Sequence, residues 1–521
     1  MHEADRLEHE EVSFLPVNRP VQDSLTDSGL SGRRHSILPK LMNAFDTIIR
    51  GACLVDGTGA EPYVADLFVV DGKIAAIGAC TGASANEEIQ AHGLFLAPGF
   101  IDAHTHDDLH VINHPAMLPK ISQGVTTVVV GNCGISGSPV RLSGEPPDPI
   151  NLLGDTLDFR YPSFTAYVEA VNRAMPAVNV AALVGHTSLR SNHMTDLRRA
   201  ATAAEIAAMK RELTDALRAG AMGLSTGLAY RNAQCAPTSE VEALAAALED
   251  VGGLYVSHIR SEDDSILEAL DEAVGIGLTA NVEVVISHLK CAGRRNWGRS
   301  AEVLERIGSL QAGRRPGCDC YPYAASSTTL DPNLVDEAIE IRITWSTPWP
   351  DMAGRTLAEI ARHWDIPQVD AARRLEPAGA IYHEMQESDV QRILAHPATM
   401  IGSDGLPNDP RPHPRLWGTF ARVLGHYSRE LNLFPIQEAV RKMTGLTAQR
   451  FGLKKRGELK PGYFADLVLF DAHRIADRAT FEAPTRAARG IEAVWVNGTL
   501  SWRESAATGK RAGRFISHRS L

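Results

Sequence analysis

Residues 97–108 read APGFIDAHTHDD. A short apolar run behind a Pro-Gly turn ends in two histidines one residue apart, His104 and His106, followed by Asp107 and Asp108. Residues two apart on a strand point to the same side. Two neutral imidazoles so placed can share one divalent metal ion. The stretch therefore predicts a buried strand whose C-terminal end carries chemistry.

Seven further runs share that property. They are GVTTVVVGNCG at 124–134, VNVAALVGH at 178–186, AMGLSTGL at 221–228, GLYVSHIR at 253–260, VEVVISHLK at 282–290, GCDCYPY at 317–323 and TMIGSD at 399–404. Helical stretches such as TAAEIAAMKRELTDALRAG and SEVEALAAALEDVGG lie between them. Eight apolar runs alternating with helices predict an α/β fold of the TIM-like (β/α)8 type, spanning residues 99–461. An open doubly wound sheet is the alternative, but no Gly-rich dinucleotide turn follows the first run. The long interval from Tyr323 to Met400 predicts an inserted subdomain over about 325–390.

The flanks differ from this middle. Residues 45–98 and 462–521 hold short β-rich runs broken by Asp-Gly, Asn-Gly and Pro-Gly turns, as in ADLFVVDGKIAAIG and GIEAVWVNG. They predict one small composite β-sandwich domain built from both chain ends. Residues 1–44 are polar and aperiodic and read as a flexible extension.

Composition bounds the function. The 521 residues carry 52 basic and 63 acidic side chains, a net charge of −11, which disfavours nucleic acid or an anionic membrane as partner. The start MHEADRLEHEE has neither the basic nor the apolar region of a secretory signal. Seven cysteines in so long a chain do not suggest a disulfide framework, so a cytoplasmic setting is expected. The oligomeric state has no signature in the sequence.

In a barrel, all strand C-termini open onto one face, where active sites lie. The eight runs bring His104, His106, Cys133, His186, His258, His288, Lys290, Tyr321, Tyr323 and Asp404 to that face. Cys133, between Asn132 and Gly134, reads as a thiolate ligand rather than a small buried hydrophobe. His258 and His288 end the parallel strings YVSHIR and VISHLK and read as ligands too. Asp404 is the carboxylate ending the last run. Beside a metal-activated water it can take a proton and return it to a leaving group. His186 is left open between a ligand-orienting and a substrate-binding role.

These stretches, with GLSTGLAY, SHLKCAGRRNWGRS, YPYAASST, PAGAIY, IGSDGLPNDPRPHPRLWGTF and LKPGYFADLVLFD, resemble the N-acyl-D-amino-acid deacylases (D-aminoacylases) of the metal-dependent amidohydrolase superfamily. The resemblance runs from about residue 45 to the C-terminus. It implies zinc held most tightly by Cys133, His258 and His288. A second, weaker metal position would use His104, His106 and Asp404, with Cys133 shared. Many superfamily members bridge two metals with a carboxylated lysine on the fourth strand. AMGLSTGL has no lysine, which argues against a hydantoinase or dihydroorotase.

The resemblance implies hydrolysis of the linear amide of an N-acyl-D-amino acid, with metal-activated water as nucleophile and Asp404 as general base and then acid. Lys290, Tyr321, Ser327 and Arg392 match the positions that bind the substrate's α-carboxylate. Arg fits a carboxylate as a planar fork, Lys as a point charge, and Tyr and Ser as neutral donors. Arg294, Arg295 and Arg342 are candidates for meeting an acidic side chain, as in an N-acyl-D-glutamate deacylase. Another metal-dependent amidohydrolase, such as a cyclic amidase, and a non-catalytic barrel are the competing readings.

Overall fold

Eight parallel strands follow the eight runs: Phe100–Asp102, Val125–Val130, Asn179–Ala182 continued by Val184–Gly185, Gly223–Gly227, Leu254–His258, Glu283–Ile286, Gly317–Cys320 and Thr399–Ile401. They come from a computed structural model that describes residues 45–80, 82–142, 144–310 and 316–518. The extension read over residues 1–44 lies outside the described residues.

Strands one to three pair in order, and strands three to eight continue the ladder. The third strand breaks at Leu183, so its first half pairs with strand two and its second half with strand four. Strands eight and one close the barrel through Ala103 N–H to Ile401 O at 3.1 Å, Asp404 N–H to His104 O at 2.7 Å, and a parallel bridge between Thr105 and Gly405.

Side-chain alternation follows the pleat. Val129, Ala181, Leu183, Leu254, Val256, Val285 and Met400 pack into the barrel interior with Ile101 and Met222. Their neighbours Val128, Val130, Val180, Ala182, Tyr255 and Ile286 pack outward under the helices. The chain's last described residues do not stay with the terminal β domain. Ile516 N–H reaches Val180 O at 2.7 Å, and Ile516, with Phe451 and Leu453, joins the interior cluster.

A nine-stranded sheet takes strands from both flanks: Phe45–Leu54, Tyr63–Val70, Lys73–Ile77, Ala85–Gln90 and Phe95–Pro98, then Leu467–Phe470, Ile491–Val496, Thr499–Arg503 and Ala506–Ala507. Phe45–Leu54 pairs with Ala85–Gln90 over its first half and with Phe95–Pro98 over its second. The strand's register shifts between Ile49 and Ala52, at Gly51 with φ +64°. The sheet folds over Ile49, Leu54, Leu67, Val69, Leu467, Leu469 and Trp495.

Between strands seven and eight lies a three-stranded antiparallel sheet, with Ala378–Tyr382 flanked by Ser326–Thr329 and Ile341–Ser346. Helices Leu357–Trp364 and Gln368–Leu375 cover it over their own apolar core. The insertion stops short of 390. Helix Glu387–Ala395 packs on helix Ser300–Ser309 and on strands seven and eight, as a barrel helix does.

Candidate metal centre

Cys133 stands at the middle of the strand-end residues. Its Sγ lies 3.2 Å from His104 Nε2 and 3.3 Å from His288 Nε2. His288 Nε2 is 3.0 Å from His258 Nδ1. Asp404 Oδ1 is 3.1 Å from His106 Nε2 and 3.4 Å from His104 Nε2. Two overlapping donor sets result, each with its ligand atoms within 4.8 Å of one another. One is Cys133, His258 and His288; the other is His104, His106, Cys133 and Asp404. All six side chains are buried.

The donor chemistry fits a metal. Imidazole nitrogens and a thiol crowd together at hydrogen-bond range, and thiolate, imidazole and carboxylate are zinc's preferred ligands. The orientation of the rings supports this. His104 Nδ1 faces Asp319 Oδ1 at 3.3 Å, and His288 Nδ1 lies 2.8 Å from Glu262 Oε1, so the Nε2 atoms are left to face Cys133. The Asp319 carboxylate orients the His104 ring, and Glu262 together with Lys290 Nζ, 2.8 Å from His288 Nδ1, orients that of His288.

The local backbone is strained for the same purpose. Cys133, His288 and Asp404 adopt φ of +53°, +33° and +48°, a region disfavoured for residues with a Cβ and found where surroundings hold it for function. Gly227, at the end of the fourth strand, lets the Cys133 loop in. A Cβ there would stand 2.2 Å from Cys133 O. The loop thus occupies the space above a strand that offers no lysine.

Charge is self-balancing. Burial disfavours the Cys133 thiolate, yet His104 and His288 outweigh it and hold the thiol well below its usual range. Burial also opposes protonation of His106, but Asp404 and Cys133 raise it to about 9. Asp404 is buried, and Arg415, His104 and His106 hold it well below the usual carboxylate range. A cation at this site would meet an ionised thiolate and carboxylate, and would take the place of the proton on His106.

A cavity of about 780 Å³ opens onto the cluster, lined by His106, His258, His288 and Asp404 and by residues of the inserted subdomain. A profile of the amidohydrolase family matches residues 87–501. The chain is 50% identical over 472 residues to a D-aminoacylase of Alcaligenes xylosoxydans xylosoxydans, covering 91% of this chain and 97% of that one. The chain belongs to the amidohydrolase family. It is 47% identical over 477 residues to an N-acyl-D-glutamate deacylase of the same organism, covering 91% of this chain and 97% of that one. The crystal structure of an N-acyl-D-glutamate deacylase from Bordetella bronchiseptica, complexed with zinc and a phosphonate inhibitor mimicking the reaction's tetrahedral intermediate, superposes with a TM-score of 0.88 at 47% identity. The match covers 91% of this chain and all of that one.

In this amidohydrolase, three of the four expected substrate residues reach the cavity: Lys290, Tyr321 and Ser327. Tyr321 Oη and Ser327 Oγ are buried without a hydrogen-bond partner in the protein. Lys290 Nζ already holds Glu262 Oε1 at 2.6 Å. Arg392 is a correction. It sits on the barrel helix Glu387–Ala395, half exposed and turned to Ser300 and Asp389, away from the cavity. Arg342 also falls outside, tied to Gly354 O and Glu340. Arg294 and Arg295 do line the cavity.

Two side chains were missed by sequence reasoning. Arg415, fully buried, places Nη1 2.9 Å from Asp404 Oδ2 and its guanidinium 4.6 Å over the Tyr321 ring. It lies in PRPHPRLWGTF, one of the stretches that carry the family resemblance, where the string itself gives no sign that this arginine is buried. Tyr230, two residues past the fourth run, lines the cavity with its ring centroid 5.0 Å from that of His258. His186 takes neither expected role. It opens the helix His186–His193 that follows the third strand, with Nε2 3.0 Å from Glu240 Oε1 in a buried group with Arg190, and does not line the cavity.

Proposed function

We propose that this chain is a zinc-dependent N-acyl-D-amino-acid deacylase, converting an N-acyl-D-amino acid and water to a carboxylate and a free D-amino acid. The observation that carries the reading is the thiolate-centred donor cluster, with Asp404 at its edge, opening into a cavity with unpaired hydroxyl donors. The relatives named above supply the D configuration and the zinc.

Cys133, His258 and His288 would hold the tight zinc, and His104, His106 and Asp404 a weaker second one with Cys133 shared. Zinc so bound supplies Lewis acidity towards the scissile carbonyl and acidifies water. The chain's own groups do the rest. Asp404, kept ionised by Arg415, takes the proton of the attacking water at a carboxylate oxygen and gives it to the departing amine. Lys290, Tyr321 and Ser327 anchor the α-carboxylate, and Arg415 offers a further fork above Tyr321. Anchoring that carboxylate while the carbonyl faces the metal leaves one direction for the side chain.

Specificity for an acidic side chain is a second reading, favoured by one observation. Arg294 and Arg295 line the cavity, and no carboxylate pairs with either among the described residues. The domain division offered is a barrel over 99–461 and a composite β domain from 45–98 and 462–521. A cytoplasmic setting is supported by seven free cysteines. Among the described residues no helix is long and apolar enough to cross a membrane.

The test is amine release from N-acetyl-D-methionine, N-acetyl-D-aspartate, N-acetyl-D-glutamate and their L forms, alongside zinc content by elemental analysis. D-selective cleavage by a zinc-loaded protein is expected. Cleavage of the L forms alone, or of none, overturns the reading; a strong preference for the acidic D substrates selects the narrower one.

A further inference from the structure

Asp107, Asp108 and the polar residues around the HTH stretch are not explained by ligation alone. Lys120, on the short helix Leu118–Ile121 before the second strand, is fully buried directly behind that stretch. Its Nζ donates to Asp102 Oδ2 at 2.8 Å, Thr105 Oγ1 at 2.9 Å and Ser403 Oγ at 2.8 Å, with Asp107 Oδ2 at 3.2 Å. None of these five side chains lines the cavity.

Each partner is next to, or two residues from, a member of the weaker donor set. Asp102 Oδ1 accepts from the backbone N–H of Ser403 at 2.8 Å and of His104 at 3.3 Å. Ser403 Oγ donates to Asp102 Oδ2 at 2.6 Å and accepts from Gly405 N–H at 3.2 Å. Thr105 Oγ1 donates to Asp107 Oδ2 at 2.8 Å. One ammonium thus joins the end of strand one, bearing His104 and His106, to the end of strand eight, bearing Asp404.

We propose that Lys120 is a positioning residue for the His104–His106–Asp404 half of the metal centre, an inference that rests on the zinc reading above. Backbone bonds from Ala103 N–H to Ile401 O, Asp404 N–H to His104 O and His106 N–H to Gly405 O cross the same seam, and Lys120 is the charged group that ties side chains from both of its sides. Without the ammonium, the Asp102 and Asp107 carboxylates at the end of strand one are buried without their counter-charge, and the link from that end to Ser403 on strand eight through Nζ is lost. Displacements of about 1 Å at a reacting centre cost turnover heavily. Cys133, His258 and His288 come from strands two, five and six and make no hydrogen bond to Lys120 among the described residues. Loss of Lys120 therefore acts on one half of the centre. Gly405 fits the same device, because a Cβ there would come within 3.2 Å of Lys120 Nζ and 2.7 Å of Leu416 Cδ1.

The experiment compares wild type with Lys120→Met, Ser403→Ala and Lys442→Met. Lys442 is also fully buried but serves the opposite end of strand eight, donating to Thr399 O. Zinc per chain is measured by equilibrium dialysis across a range of free zinc, with kcat and KM on N-acetyl-D-methionine. For Lys120→Met, the tight zinc is expected to stay, the weaker one to need about 10–100-fold more free zinc, and kcat to fall through displacement of Asp404 even at free zinc that fills only the tight site, with KM little changed. Ser403→Ala shifts both in the same direction by less, and it carries the test if Lys120→Met does not fold. Lys442→Met matches wild type. Wild-type affinity for the weaker zinc in Lys120→Met, or equal loss of both zincs, overturns the proposal. A wild-type chain that takes up no zinc overturns this and the deacylase reading together.

Discussion

Asp404 has one carboxylate for two tasks, facing His106 with one oxygen and Arg415 with the other. The donor set of Cys133, His258 and His288 does not include it. Asp404→Asn is therefore expected to retain the tight zinc while kcat falls by about 10²–10⁴-fold, the usual worth of a positioned acid–base group. Zinc analysis beside steady-state kinetics reads both. Full activity in that variant removes Asp404 as the base. At this scale the sequence was most informative where chemistry sits at a strand's end, because the barrel sends every such end to one face. His104, His106, Cys133, His258, His288 and Asp404 needed only their place in each run to be selected. Arg392 and Arg415 show why the method then weakens. Both are arginines on helices, and which face of a helix meets a cavity depends on packing that a local string does not contain.

Whole strands were legible because apolar runs of four to eight residues between helices have few other uses. The break at Leu183 was not, since nothing in VNVAALVGH marks a change of pairing partner. The helix beneath strand eight yields a pH prediction. Lys442, on helix Ile436–Met443, is lowered to about 8 from an ordinary 10.5, with burial the largest cause. Between pH 8 and 10.5 the unfolded chain holds a proton that the folded one has released, so this lysine's contribution makes stability rise with pH across that window. Its cost is complete below pH 8. Lys442→Met removes the cost, so the variant should be more stable than wild type by about 1–3 kcal/mol near pH 7.5, with the gap closing towards pH 10. Denaturant unfolding of both proteins at the two pH values checks this. A gap independent of pH would assign the difference to packing instead.

The whole molecule joins parts that the sequence shows separately. Similar turn-rich β text at the two flanks suggested a shared sheet, and both flanks do contribute strands to one. The return of Ile516 to the barrel interior had no such signal, because two adjacent apolar residues, Phe515 and Ile516, in a polar tail have no period. The metal centre ties the assembly together at its other end. Its donors come from strands one, two, five, six and eight, so an ion bound there cross-links strands on opposite sides of the barrel. A ligand that binds only the folded state at about a thousandfold excess over Kd adds about 4 kcal/mol. Unfolding entropy grows with chain length, so for a chain of this size that corresponds to a melting shift of roughly 4 °C. Chelation should lower the melting temperature by that order, and added zinc should restore it. In Cys133→Ala, which removes the donor common to both sets, the chelator should change the melting temperature little. If wild type melts identically with and without chelator while losing activity, the metal serves catalysis without bracing the barrel, and the fold holds these strand ends in place unaided.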